Sequence, residues 1–411
     1  MATSTGLMRP TWRTPVVVLI AASAVVLLVM GIRSSFGLYL KPMSLDLGWG
    51  REVFALAMAI QNLLWGAAQP FASAIAERYG TGRVVAGGGL LYILGLVIMS
   101  YSTDPLTFHM GAGVLIGMGQ AGGGLAVLLA AVGRALPPEK RSWGLGIVSA
   151  AGAAGQFTVV PVGQAFLQNY GWATSYLLLA VLAAAMVVSA IALKGRAEDT
   201  VSADEDTGPT GLGAALKEAS GHRGYWLLVI GFFVCGFQVA FVGVHLPAYL
   251  TDRGLPAETG AWALALVGLF NIVGSYYAGV LGAKRSKKSL LSMLYLLRAV
   301  TIAIFITMPI STASVAIFSA VLGILWLSTV PLTSGLVAQI FGPRYMGTLF
   351  AITFFSHQIG SFLGVWLGGH MFDATGSYDL VWWWSIALGV AAALIHWPID
   401  ERTIPRLATS G

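Results

Sequence analysis

The sequence predicts an all-α membrane protein, twelve transmembrane helices in two pseudo-symmetric six-helix bundles, and three observations carry that prediction. Apolar runs recur from residue 14 to residue 397, each near the ~20 residues that a helix needs to cross a bilayer. The 411 residues are 57% hydrophobic and only 10% charged, against roughly 25% charged in a soluble globular chain, so there are too few charges to cover a water-facing surface. Third, lysine and arginine collect in alternate connections between the runs. The 52 glycines and a mean hydropathy of +0.79 suit helices packed closely in lipid.

Read between polar breaks, the spans fall near 14–40, 52–76, 83–102, 105–133, 142–167, 172–194, 224–250, 259–282, 289–309, 312–340, 346–371 and 379–398. One set of connections then holds eighteen Lys and Arg residues, the other only Lys41, Arg51 and Arg253, and Arg33 and Arg298 are left inside spans. A wrong span count would scramble this separation. The positive-inside rule places both termini in the cytoplasm, in a multi-pass protein of the cell inner membrane. The start, "MATSTGLMRPTWRTP", leads straight into a long span with no small-residue cleavage site, and reads as a retained first helix. The segment "KGRAEDTVSADEDTGPTGLGAALKEASGHRG" reads as a cytoplasmic linker, disordered in its acidic first part. The expected organisation is an N-terminal bundle at 1–194, a linker at 195–223 and a C-terminal bundle at 224–411. The net charge of +6 is explained by this sidedness and not by nucleic acid.

The halves echo one another. "SAIAERYGTGR" follows span two and "GVLGAKRSKK" follows span eight; "RSWG" precedes span five and "RYMG" precedes span eleven. Related bundles of this kind place a central site at their interface, opened alternately to either side. The twelve spans, the long middle loop and "SAIAERYGTGR" resemble the major facilitator superfamily, whose loop signature is Gly-x-x-x-Asp-Arg-x-Gly-x-(Arg/Lys). Ser73 stands for its first Gly and Glu77 for Asp, Arg78 and Gly80 fit, and Arg83 supplies the final charge one place late. The resemblance implies that Glu77, Arg78 and Arg83 form a cytoplasmic gate whose charge pairs clamp the outward-open state and break on rocking. In the second half Ala283 replaces the acid, so that copy is weaker. "SFGLYLKPMSLDLGWGRE", "GVHLPAYLTDRGLP", "GLFNIVGSYYAG" and "HQIGSFLGVWLGGHMFDATGSYDLVWW" are similar to the branch holding monocarboxylate transporters and oxalate–formate exchangers. One departure stands out. Ser275, four residues before Gly279, occupies the place where carboxylate carriers of this branch often hold an arginine.

The chemistry centres on the two arginines inside spans. A mid-membrane arginine costs about 2.5–3.5 kcal/mol on insertion scales, so it faces a cavity or a partner. Arg33 reads as an anion-binding or cavity-gating residue, against the alternative that it snorkels outward. Span one lines the cavity in the resembled family, which favours the first. Arg298 lies too deep to snorkel; span nine is a supporting span in that family, so it either ties helices through carbonyls or Asn271, or meets substrate. All 17 acids sit in connections or at span ends, and two buried cations without acids point to an anionic substrate, whose carboxylate suits a guanidinium fork. Gln61, Gln120, Gln156, Asn271, Tyr276 and Trp326 complete the candidate binding set, each with a plain helix-joining or packing role as its alternative. Without mid-membrane acids, proton coupling falls to His245 and His357, again against neutral hydrogen bonding. "GQAGGG", "GAAG" and Pro161 read as close-packing and bending elements of spans four and five.

The sequence contains no phosphate-binding loop for ATP and no paired cysteines, since Cys235 is the only one, so no cofactor or metal is expected. Nor do a nucleophile, base and acid converge as an enzyme requires. The reading is a secondary transporter of a small organic anion, a mono- or dicarboxylate, working by alternating access with protons or a counter-anion. The alternative is efflux of a toxic anionic or neutral compound; hydrophobic cations are disfavoured because no buried acid exists to hold them. The resemblance implies a functional monomer, with the lipid bilayer as its surroundings.

Overall fold

A computed structural model describes residues 12–195, 212–342 and 346–404. The acidic first part of the linker and Arg344 of "RYMG" lie outside the described residues. The described chain is helical throughout, with no strand among those residues. In chain order, α1 is Pro15–Leu47, α2 Arg51–Tyr79, α3 Thr81–Tyr101 and α4 Pro105–Ala135. A long element, Pro138–Ser189, is broken by non-helical backbone at Gly171 (φ 74°) into α5 (138–170) and α6 (172–189). After the linker and its short helix Leu212–Ser220 come α7 Arg223–Asp252, α8 Ala257–Lys284, α9 Lys287–Thr307, α10 Thr312–Phe341, α11 Met346–Thr375 and α12 Asp379–His396. Ten segments are apolar and long enough to cross a membrane; α2 is helical over 29 residues but more polar, and Pro138–Ser189 crosses twice, which gives the twelve expected spans.

The ends are set by local chemistry. Gly171 supplies the left-handed backbone that turns α5 into α6 within one residue, a conformation costly for any residue with a Cβ. Thr14, Asp104, Ser286 and Ser311 cap their helices by accepting from backbone amides two or three residues into the first turn. The two hydrogen bonds that Thr107 donates hold the Asp104 carboxyl below its usual range.

The packing repeats itself. α1 lies on α5 as α7 lies on α11; α3 lies on α6 as α9 lies on α12; α2 meets α11 as α8 meets α5. Each first pair closes through glycine on a carbonyl. A Cβ on Gly155 would overlap the Leu27 carbonyl, and one on Gly236 the His357 carbonyl. Close backbone approach replaces the hydrophobic drive that lipid cannot supply between helices. The face gathering the basic connections is called here the basic face, and its opposite the distal face.

Two helices are interrupted at mid-depth. α4 breaks at Gly123 and Gly124, and α10 at 326–328, the corresponding places in the two halves. Such irregular backbone is tolerated at membrane depth only where protein satisfies it or a cavity meets it.

Candidate functional site

The halves meet along α2–α11, α5–α8 and α1–α7, and they meet from the distal face down to mid-depth. In α2–α11 the contacts run from Gly369 against Arg51 and Ala55 down to Gly66 against Phe355 and Gln358. In α5–α8 they run from Gln168, bonded to Glu258, down to Gln156, whose Nε2 donates to Leu264 O at 3.0 Å beside Gly268. α1 touches α7 where Gly37 lies on the Gly243 carbonyl. Nearer the basic face, the second pieces of α4 (125–135) and α10 (329–341) pack chiefly within their own halves. The space between the halves therefore closes distally and opens toward the basic face.

A polar network makes the distal closure. The Arg51 guanidinium grips Asp252 of α7 with both terminal nitrogens (Nη1–Oδ2 2.5 Å, Nη2–Oδ1 2.9 Å), and the Lys41 ammonium meets the same carboxylate at 2.8 Å. Nη1 also donates to the Tyr378 hydroxyl at 2.8 Å, and the guanidinium lies 3.5 Å from the centre of the Phe372 ring. Asp373 of α11 accepts from the Arg51 and Glu52 amides, both at 2.8 Å, so an acid of one half caps a helix of the other. Glu52 in turn accepts from Trp366 Nε1 and faces His370 Nδ1. A bidentate guanidinium–carboxylate pair, partly desolvated, is the strong form of an ion pair. The sequence reading uses Lys41 and Arg51 only for the side of the membrane they mark and gives this network no role. Its signal was present, since "SFGLYLKPMSLDLGWGRE", "LPAYLTDRG" and "HMFDATGSYDLVWW" hold nearly all of its members.

At mid-depth the two span arginines differ in their surroundings. Arg33 Nη2 donates to Asn62 Oδ1 at 2.6 Å, and the guanidinium lies 5.2 Å from the centre of the Trp65 ring. Its Nε is buried with no acceptor, and among the described residues no carboxylate lies within ion-pairing distance. Arg298 is fully buried, with Nη2 on the carbonyls of Leu325 (2.5 Å) and Trp326 (2.7 Å) and Nη1 on Gln238 Oε1 (3.2 Å) and Cys235 Sγ (3.5 Å). Those two carbonyls end the first piece of α10 and have no helical amide to bond, so Arg298 replaces the missing turn. Asn271 works on the same break from α8: its Oδ1 accepts from the Leu327 amide and from Ser275 Oγ, both at 3.1 Å.

The remaining candidates are placed as follows. Gln61 Nε2 donates to Ala112 O at 2.9 Å, inside the wide turn His109–Leu115 of α4, whose loosened geometry leaves that carbonyl available. Gln120 is buried beside Tyr92, which also neighbours Arg33. Gln156 bridges the halves as described, Trp326 is buried at the α10 break, and Tyr276 is 67% exposed, edge-on to Tyr277. His245 is buried, its Nε2 donating to Val365 O (2.8 Å) and its Nδ1 accepting from Tyr378 (3.2 Å), the hydroxyl that Arg51 also holds. His357 Nδ1 faces Gln358 Oε1 at 3.1 Å and its ring stacks on Phe354. Glu77, Arg78 and Arg83 are exposed on the basic face, with no ion pair to Glu77 among the described residues.

Residues 22–365 match the family model described as the Major Facilitator Superfamily. The chain belongs to that superfamily. Among curated proteins it is 25% identical to the "Uncharacterized MFS-type transporter YcxA" of Bacillus subtilis, over 85% of this chain and 86% of that one. It is also 25% identical to "Monocarboxylate transporter 13" of Rattus norvegicus, over 85% and 81%. Among solved structures, a bacterial homologue of the lysosomal transporter Spinster, inward-facing and unoccupied, superposes with a TM-score of 0.76 at 15% identity, covering 97% of this chain and all of that one. A D-xylose–proton symporter superposes at 0.75 and 14% identity, over 95% and 99%. The fold is thus the major facilitator fold and the protein a membrane transporter, not an enzyme; the likeness to the monocarboxylate-transporter branch holds at the level of sequence.

Proposed function

We propose that this major facilitator carries a small organic anion across the cytoplasmic membrane by alternating access, and that Arg33 anchors the anion's carboxylate. The observation that carries this reading is the state of Arg33: a partly exposed guanidinium inside a span, with one terminal nitrogen on Asn62, the other (Nη1) without an acceptor among the described residues, and no protein carboxylate to neutralise it. A charge in that position is stabilised by a counter-charge that arrives with the substrate, and the planar fork suits a carboxylate. Asn62 fixes the guanidinium from one side and Trp65 supports its face.

The basic face is the cytoplasmic one in this reading, with both termini there, because the bias of Lys and Arg toward it follows the positive-inside rule. The protein then stands open to the cytoplasm, where Glu77, Arg78 and Arg83 are apart and the clamp they form closes when the distal side opens. The bundles at 1–194 and 224–411 rock as units about the linker at 195–223, in a functional monomer. His245 and His357 are the groups proposed to couple protons, with exchange against a second anion as the other mode; His245 is tied through Tyr378 to the gate residue Arg51.

The test is uptake of radiolabelled lactate, pyruvate, oxalate and succinate into proteoliposomes, with and without an inward proton gradient, for wild type and Arg33→Gln. Uptake of a carboxylate that the substitution abolishes supports the reading. A folded wild type that moves none of them overturns it and turns attention to efflux substrates.

A further inference from the structure

We infer that the preferred substrate is a monocarboxylate bearing an aromatic ring, seated with its carboxylate on Arg33 and its ring against Trp65 and Phe354. This rests on the reading of Arg33 given above and narrows it in two respects, charge and shape.

The charge follows from the inventory of cations. Arg33 and Arg298 are the lysine and arginine residues lying at mid-depth. Arg298 is fully buried and its terminal nitrogens are held by two carbonyls, an amide oxygen and a thiol. Ser275 of α8, the position where the resembled branch often has an arginine, is a hydroxyl bonded to Asn271. One cation therefore remains to meet an anion. A second carboxylate would be desolvated at mid-depth with no positive partner, a costly outcome for a buried charge.

The shape follows from what surrounds that cation. Arg33 lies over the Trp65 ring, and Trp65 of α2 meets Phe354 of α11 across the interface between the halves, with centroids 5.3 Å apart and planes at 77°. Phe354 stacks on His357 with planes 9° apart, and His357 lies 4.9 Å from Phe232. Trp65 and Phe354 are both half-buried and sit beside the close α2–α11 contact of Gly66 with Phe355 and Gln358. The body of a ligand held at Arg33 by its carboxylate lies along these two rings. An aliphatic acid of two or three carbons leaves the half-exposed parts of these rings uncovered, whereas a flat ring takes up edge-to-face or offset packing against them. The contact also joins the halves: Trp65 belongs to one and Phe354 to the other, so a ring lying along the pair engages both sides of the rocking interface.

The matched pair of probes is pyruvate and phenylpyruvate, which differ by one phenyl group, with succinate as the dicarboxylate. Their uptake is measured in proteoliposomes of the full chain, corrected for protein-free vesicles, for wild type, Trp65→Leu and Trp65→Phe. In wild type, phenylpyruvate is expected to half-saturate at roughly tenfold lower concentration than pyruvate, with succinate poorly taken up. Trp65→Leu is expected to erase most of that difference, and Trp65→Phe to keep most of it. Pyruvate moving as well as or better than phenylpyruvate in wild type, or succinate matching either, overturns the inference while leaving the anion reading standing. Equal loss of both monocarboxylates in a folded Trp65→Leu also overturns it. If none of the three acids moves in folded wild type, this inference falls, and the anion reading falls with it when lactate and oxalate also fail to move. The wild-type comparison needs no variant, so misfolding of Trp65→Leu does not remove the test.

Discussion

Arg33 and Arg298 are the same residue type at similar depth in one bilayer, yet they differ in what holds them. Arg298 is enclosed by the protein: it closes off the broken end of the first piece of α10 and is fully buried there. Each arginine has a buried Nε without an acceptor and lies over an aromatic ring, but Arg33 has a single hydrogen-bonded partner, Asn62, and its Nη1 meets no acceptor among the described residues, whereas both terminal nitrogens of Arg298 are filled. The difference teaches that a charge in a span is informative only through its unmet bonding. An arginine whose fork is filled by backbone is part of the scaffold; one whose fork is partly empty marks where a ligand belongs.

The largest effect that tests this contrast is on stability. Arg298→Met strands the Leu325 and Trp326 carbonyls and Gln238 Oε1 without donors, and is expected to destabilise the protein by about 3–5 kcal/mol. Thermal unfolding in detergent, followed by the reactivity of the single buried thiol Cys235, reads it directly. Arg33→Gln is expected to do the opposite: a melting temperature close to wild type, but anion uptake reduced ~100-fold, equivalent to roughly 3 kcal/mol of lost binding. Equal loss of stability in both variants would erase the distinction between the two arginines.

Two smaller effects sharpen it. Asp252→Asn weakens the distal ion pair and is expected to shift the balance toward the distally open state by about 1–3 kcal/mol. Faster labelling of a cysteine placed at Val244, in a Cys235→Ala background, checks this from the distal side. Asn271→Leu frees the Leu327 amide at the α10 break and is expected to cost about 1–2 kcal/mol, less than Arg298→Met because one neutral bond is lost and not several to a charge. The same melting experiment ranks the pair.

The sequence reveals the spans and their sidedness because both depend on composition averaged over about twenty residues. α2 shows the point: it is too polar to stand out by hydropathy alone, yet the alternation of Lys and Arg requires a crossing there. Arg33 and Arg298 are visible for the same reason, as charges against an apolar background. What they touch is not visible: Pro331, four residues after Leu327, signals a break at 326–328, but nothing in the sequence says that the carbonyls it frees are met by Arg298 from another helix. The distal network is hidden differently. Lys41, Arg51, Asp252 and Asp373 each read as an ordinary charge at the end of a span, and only the packing of α1 and α2 against α7 and α11 brings them together.

That network also bears on how salt acts on the protein. Lys41 and Arg51 belong to one half and Asp252 to the other, so closing the distal side pairs the two cations with that carboxylate and opening it parts them. Each opening of the distal mouth therefore works against their attraction. The pair is only partly desolvated, and charges exposed to water are screened over about 10 Å at 0.1 M salt. Raising the ionic strength should therefore favour the distally open state, while the opposite face, governed by a different set of charges, should not follow the same curve.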